Sequence, residues 1–104
     1  MSKKEQIQQE IKQSLKEKNE LKTSVLRLLL TAFSNKEIEL KKKEAGLNEE
    51  EEQQVLKSEM KKRRKSIEAY EKARRQDLAD KEKKELKILE SYDNGDQQNK
   101  AENS

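Results

Sequence analysis

The sequence has no cysteine, histidine, proline or tryptophan, and it has only two glycines and three aromatic residues. Without cysteine and histidine, we exclude structural disulfides, thiolate nucleophiles, Cys/His zinc sites and imidazole acid–base catalysis. Long apolar segments are also missing: the longest run, residues 28–30, is too short to span a bilayer. The first ten residues lack the apolar core of a secretory signal. We therefore expect a cytoplasmic protein that makes no membrane contact.

Charge is what the sequence has in abundance. Charged residues make up 45% of the 104 residues and hydrophobic residues 29%, yet the net charge is only +3. Mixed charge without proline favours long solvated helices over a random coil. A chain of this length forms one domain at most, and its core has to be thin. Leucine and isoleucine must supply most of that core.

The apolar spacing predicts two helices in the first half of the chain. Ile7, Ile11 and Leu15 recur every four residues and predict a helix over residues 4–18. Asn19 or Thr23 could cap the next helix, over residues 21–44, which we expect to end at Gly46. Its apolar positions form a face about half the helix wide: Leu21, Val25, Leu26, Leu28, Leu29, Ala32, Phe33 and Leu40.

The second half predicts two more helices. Asn48, with Glu51 three residues later, resembles a capping box that starts a helix over residues 49–74. Residues 49–52 are all glutamate, and consecutive helical side chains diverge, so they predict a helix start and no metal site. Asp77 is the expected N-cap of a helix over residues 78–92.

These patterns predict an all-α fold, a small bundle of about four helices with a disordered C-terminal tail. Residues 1–92 form the helical domain, and residues 93–104 form a polar tail with one apolar residue, Ala101. No alternation typical of strands is present. The expected core consists of Leu26, Leu29, Phe33, Leu56, Ile67, Tyr70 and Leu89. Arg63 falls on the apolar side of its helix, where a long stem can cover core.

The third predicted helix carries the positive excess of the chain. Residues 57–75 hold nine cations and three anions. One arc of this helix is the candidate nucleic-acid-binding stripe: Lys57, Lys61, Arg64, Lys65, Lys72 and Arg75. Lys62 points away from that arc.

The stripe has three interpretations. It can be a phosphate-binding surface, or a solvated face with i,i+4 pairs such as Glu68–Lys72 and Glu71–Arg75. A membrane-surface helix is the least favoured, because the apolar side of this helix is needed inside the bundle. The chain lacks exposed aromatic residues for base stacking, so RNA binding would read backbone and shape. The serines have no histidine to activate them, and no catalytic residue is predicted.

Two segments resemble a known family. VLRLLLTAFSNKEIE (residues 25–39) and KKRRKSIEAYEKARRQDLADKEKKELKILESY (residues 61–92) are similar to the YqeY family. These are small bacterial proteins related to the C-terminal tail region of GatB, a subunit of the tRNA-dependent amidotransferase. The resemblance covers nearly all of residues 3–92, and the second segment is the more specific.

This sequence departs from the family pattern at two places. The family usually has glycine where this chain has Arg74, at the turn between the third and fourth helices. If φ at Arg74 is positive, arginine costs roughly 1 kcal/mol or more. The family also continues, after the tyrosine matched by Tyr92, into a second and smaller helical domain. We therefore expect this chain to correspond to the N-terminal helical half only.

The resemblance implies an all-helical fold and a link to glutamine-dependent amidation of charged tRNA. Family-level labels describe a carbon–nitrogen ligase with glutamine as amido-N-donor, but the resemblance supplies no catalytic residue and no cofactor. It favours a non-catalytic accessory module that contacts tRNA or another structured RNA. The alternative is a helical protein-interaction module, whose partner binds apolar surface that the missing half leaves exposed and whose basic face is only solvated.

Overall fold

The computed structural model describes residues 2–93, most of which lie in four α-helices. These are α1 (Lys3–Lys16), α2 (Glu20–Glu39), α3 (Glu49–Lys72) and α4 (Gln76–Glu90). The described residues include no β-strand. The predicted all-α class with about four helices is therefore confirmed. The predicted disordered tail lies outside the described residues except for Asp93, which is buried.

The chain divides into two compact units, with the boundary inside α3 between Val55 and Leu56. In the first unit α1 packs against α2. A buried hydrogen bond between the Ser14 and Thr23 hydroxyl oxygens, 2.6 Å apart, joins these two helices. Three of the predicted core residues, Leu26, Leu29 and Phe33, are buried in this unit. The other buried apolar side chains are Ile7, Val25 and Val55.

The apolar stripe of α1 differs from the prediction. Ile7 is fully buried and Ile11 is half-buried, but Leu15 is 51% exposed. A four-residue spacing turns by about 40° at each step, because a helix turns by about 100° per residue. Two steps carry Leu15 away from the buried side. Ser14, which lies nearly in line with Ile7, is buried in its place.

Three helices end in the same backbone motif, with a positively charged residue in the left-handed conformation. φ is +57° at Lys18, +56° at Lys41 and +59° at Arg74. In each case the amide of the following residue donates to the carbonyl five residues back, which is the bond that defines a Schellman motif. The cation at each end complements the negative end of the helix dipole.

The Schellman motif ends α2 earlier than predicted. Lys42 N donates to Glu37 O at 2.7 Å, so the helix stops at Glu39. Gly46, with φ of +78°, lies in the loop between α2 and α3, and the prediction that it ends α2 is wrong. Leu40 consequently lies outside the helix and is 36% exposed.

The starts of α2 and α3 are capped by asparagine side chains. Asn19, one of the two predicted alternatives, accepts a 3.1 Å hydrogen bond from Lys22 N and caps α2. At α3 the predicted capping box is confirmed: Asn48 Oδ1 accepts from Glu51 N at 2.8 Å, and Asn48 N donates to Glu51 Oε1 at 2.9 Å. Lys42 Nζ also donates to both Glu51 oxygens, at 2.8 and 2.7 Å.

The start of α4 differs from the prediction. Arg75 occupies the N-cap position and makes no side-chain capping bond, while Asp77 is already the second residue of the helix. The Asp77 carboxylate instead accepts hydrogen bonds from Arg75 Nε and Nη2, both at 3.2 Å. Asp77 still places negative charge at the positive end of the helix dipole.

In the second unit, ion pairs connect the C-terminal part of α3 to α4. Arg63 Nε lies 3.5 Å from Glu82 Oε2 and 3.6 Å from Glu85 Oε2, and all three side chains are largely buried. This agrees with the predicted position of Arg63 on the apolar side. Two of the predicted core residues, Leu56 and Leu89, are buried in this unit. The other buried apolar residues are Met60, Ala79 and Tyr92. Ile67 and Tyr70 are only half-buried.

Candidate nucleic-acid interface

The two units differ sharply in charge. Residues 1–55 contain eleven cations and eleven anions, whereas residues 56–104 contain fourteen cations and eleven anions. The whole net charge of +3 therefore belongs to the second unit. All six residues of the predicted stripe lie in that unit and are exposed.

Three lysines of the stripe form a row on α3 that turns gradually around the helix. Lys57, Lys61 and Lys65 are spaced four residues apart, so the row extends over about 12 Å and turns by about 40° at each step. None of their ammonium groups makes an ion pair within residues 2–93. We call these three residues the lysine row. Their charges are therefore available to an incoming anion.

Arg64 lies beside the lysine row, three residues after Lys61. Its side chain is 51% exposed, and its Nη2 lies 3.9 Å from Glu90 Oε2 on α4. Arg64 therefore connects the outer face of α3 to the C-terminal end of α4. At 3.9 Å this ion pair is long and partly solvated.

Lys72 lies on the same arc but is compensated by an anion. Its Nζ is 3.0 Å from Glu68 Oε1, as the i,i+4 spacing predicts, and both side chains are well exposed. Glu68 falls inside the arc, between Lys65 and Lys72. The negative charge of Glu68 therefore separates Lys72 from the lysine row.

Arg75 does not continue the stripe either. α3 ends at Lys72, so Arg75 lies in the turn, and the predicted Glu71–Arg75 pair is replaced by two other pairs. Arg75 Nη2 lies 3.2 Å from Asp77 Oδ2, and Lys83 Nζ lies 2.9 Å from Glu71 Oε2. The hydrogen bonds from Arg75 lower the pKa of Asp77, and those same bonds raise the pKa of Arg75.

Lys62 follows the prediction that it points away from the arc. It pairs with Glu59, with Nζ 3.0 Å from Oε2, and Glu59 itself is buried. The structure thus groups Lys57, Lys61, Lys65 and Arg64 and separates them from Lys62, Lys72 and Arg75.

The sequence prediction did not include cations from α4. Lys84 and Lys87 are exposed and, within residues 2–93, make no ion pair. They are three residues apart and therefore neighbours on the helix surface. This i,i+3 spacing is visible in the sequence, but only the packing of α4 against α3 gives it significance.

The three aromatic side chains cannot form a base-stacking platform. Phe33 and Tyr92 are buried and Tyr70 is half-buried. A nucleic acid on the lysine row would therefore be held through phosphates, without aromatic stacking on bases.

The first unit contains a different kind of surface, an open groove of about 620 Å³ along α1 and α2. Leu15 and Leu28, which are 51% and 46% exposed, contribute its apolar lining. The hydroxyl groups of Ser24 and Thr31 also line it, and Lys18 and Arg27 lie at its edges. This groove offers apolar surface that suits a protein contact.

Two further findings concern residues 2–93 alone. No three acidic residues in this part of the chain are grouped so that they could hold a metal ion. Glu51 is engaged by Lys42 and Asn48, whereas Glu52 is buried, so the four-glutamate run does not converge. None of the helices in this range combines the length and apolar character needed to cross a membrane.

Comparison with known proteins adds family membership to this geometry. No curated protein matches the chain. A family model described as Yqey-like protein matches residues 4–100, which is nearly the whole chain. The match spans both segments that resemble the family and all six residues of the predicted stripe. The chain is therefore a member of the YqeY family.

Proposed function

We propose that this protein binds structured RNA, and tRNA in particular, through the outer face of α3, as a non-catalytic accessory module. The observation that carries the proposal is the lysine row, in which Lys57, Lys61 and Lys65 are exposed and uncompensated by any described anion. Phosphate groups that approach this row would replace condensed counterions, which favours binding at low salt.

The recognition we propose is of the RNA backbone and not of base sequence. Lysine ammonium groups act as mobile point charges, and the aromatic side chains are buried or half-buried. Arg64, beside the row, adds a guanidinium that is 51% exposed and can contact a phosphate. Binding should therefore depend on shape and charge density.

Family membership supports the choice of tRNA. The YqeY family is related to the tail region of GatB, which belongs to a tRNA-dependent amidotransferase. Because the sequence predicts no catalytic residue, we attribute the carbon–nitrogen ligase label of the family to that relationship. A role beside the amidotransferase reaction, in the cytoplasm, fits this assignment.

The proposal is tested with a lysine-row variant that combines the substitutions Lys57→Gln, Lys61→Gln and Lys65→Gln. Glutamine keeps the helix propensity and adds no repulsion. We expect tRNA binding at low salt to weaken by about tenfold or more, with helix content unchanged. The matched control removes three exposed cations from the first unit, Lys12, Lys16 and Lys43, and therefore has the same net charge. The control should bind tRNA as the parent does.

The alternative function is protein interaction through apolar surface. The groove lined by Leu15 and Leu28 favours this alternative, because large exposed apolar side chains are few in so charged a chain. If the lysine-row variant binds tRNA as well as the parent does, the basic face is merely solvated. The protein-interaction alternative then becomes the better account.

A further inference from the structure

We infer that the RNA-binding surface extends across two helices, with Lys84 and Lys87 of α4 as additional phosphate-binding residues. This inference rests on the proposed function and specifies the residues that contact RNA. It makes the α3–α4 pair, and not a single helix, the binding element. The observations that carry it are the ion pairs that align the two helices.

Two ion pairs define one edge along which α3 and α4 run antiparallel. Arg64 pairs with Glu90, and Glu71 pairs with Lys83. Arg64 and Glu71 are seven residues apart on α3, and Lys83 and Glu90 are seven residues apart on α4. Seven residues are about two helical turns, so both residues of each helix lie on the same side of it. The two pairs therefore lie about 10 Å apart along this edge.

Lys87 belongs to this same edge. It lies four residues after Lys83 and three before Glu90, which places it on the side of α4 that meets α3. Lys87 is exposed, so its ammonium group reaches solvent beside the outer face of α3. Lys84 is the i−3 neighbour of Lys87 and extends the positive charge one turn further along α4.

Three anions of this surface are engaged in ion pairs: Glu71 and Glu90 form the two edge pairs, and Glu68 pairs with Lys72. Asp80, four residues before Lys84, accepts a hydrogen bond from Gln76 and, within residues 2–93, pairs with no cation. In the same range the lysine row on α3 and Lys84 and Lys87 on α4 make no ion pair either, so five cations outnumber this one anion. With helix axes typically 8–10 Å apart, these two groups can contact phosphates on separate stretches of a folded RNA backbone. That arrangement favours structured RNA over an isolated single strand.

The test is the double variant Lys84→Gln and Lys87→Gln, measured with unfractionated tRNA across a range of salt concentrations. We expect binding at low salt to weaken by about tenfold, and the slope of log K against log salt to become less steep by about 2. The matched control is Lys12→Gln with Lys16→Gln, which removes two exposed cations from α1. Circular dichroism should show equal helix content in both variants, since neither loses an ion pair.

The outcomes separate this inference from the proposed function. If the lysine-row variant loses tRNA binding while the double variant behaves like its control, RNA contacts only α3 and the two-helix surface is wrong. If the parent does not bind tRNA, both proposals fail together. Binding of the parent to lipid vesicles, with and without anionic lipid, is measured as well. Binding to anionic vesicles without binding to tRNA would assign the surface to a membrane and overturn the inference.

Discussion

Arg74 has a backbone conformation that its side chain disfavours. φ is +59° at this residue, which is the condition under which arginine, in place of the family's usual glycine, is costly. We expect Arg74→Gly to raise the free energy of unfolding by about 1 kcal/mol in urea denaturation. The gain arises because glycine adopts the left-handed conformation without a clash at Cβ.

Arg74→Ala is the matched control for this prediction. Alanine removes the charge at the C-terminal end of α3 but keeps Cβ, so the strain remains and no gain is expected. Equal stability of the glycine and alanine variants would show that the conformation at residue 74 costs nothing. The resemblance of the sequence to the family pointed to this position, but only the structure gives the sign of φ.

Glu82 should make stability fall as the pH rises above the acidic range. Burial and the neighbouring Glu85 raise the pKa of Glu82 above its ordinary value of 4.5, and Arg63 offsets only part of this effect. The folded state therefore holds this proton more tightly than the unfolded state, and that contribution is lost as pH rises from about 4.5 through the raised value. Glu82→Gln should remove this loss, as measured by urea denaturation from pH 4 to pH 7.

Glu51 should show the opposite pH dependence. Its hydrogen bonds with Lys42 and with the Asn48 amide lower its pKa below 4.5. Its contribution is therefore present above pH 4.5 and is lost as the pH falls through the lowered value. Glu51→Gln should reduce stability at neutral pH and have less effect in acid. If both variants changed the pH dependence of stability in the same direction, the opposite pKa shifts assigned to Glu82 and Glu51 would be contradicted.

At the level of single elements, the start of α3 is the most strongly specified feature. Asn48 and Glu51 exchange hydrogen bonds, and Lys42 holds Glu51 from the preceding loop. Asn48→Ala should lower the free energy of unfolding by about 1 kcal/mol, because the amide of Glu51 loses its partner. Asn48→Asp keeps an acceptor and should remain close to the parent. An alanine variant as stable as the aspartate variant would contradict the role of the cap.

Helix starts could be predicted from the sequence better than helix ends. Asn19 and Asn48 are good N-caps whatever the tertiary context, so the starts of α2 and α3 were predicted to within a residue. The ends depend on backbone motifs with Lys18, Lys41 and Arg74 in the left-handed conformation. No residue type signals such an end when glycine is absent. The prediction therefore extended α2 to residue 44, shortly before Gly46.

The core was predicted well where one helix side is strongly apolar. Leu26, Leu29 and Phe33 are buried as expected, whereas Ile67 and Tyr70 are only half-buried. The local spacing gives the side of a helix that turns inward. It does not give how far the neighbouring element covers that side, which depends on packing in three dimensions.

For the molecule as a whole, the candidate site was predicted only in part. The cationic arc of α3 follows from helical geometry, and the structure exposes all six of its residues. The pairing of Arg75 with Asp77 depends on the position of the turn, and the proximity of Lys87 to α3 depends on how α4 packs. Such contacts are set by tertiary structure and leave no periodic signal in the sequence.

The unequal charge of the two units makes the second unit the part of the chain that attracts a polyanion. The first unit is neutral and carries the groove with Leu15 and Leu28, while the second unit holds the full net charge of +3. We expect a polyanion to approach the second unit, and its association rate to fall as salt increases. The lysine row should therefore dominate both the affinity and its salt dependence.

The most direct test of the RNA-binding account is the salt dependence of tRNA binding by the parent and by the lysine-row variant. With the lysine row, Arg64 and the two α4 lysines neutralising about six phosphates, the parent should give a slope of log K against log salt of roughly −4 to −5. Replacing Lys57, Lys61 and Lys65 by glutamine should weaken binding at low salt and flatten that slope by about 2 to 3. Equal affinity and equal slope for the two proteins would contradict RNA binding through α3.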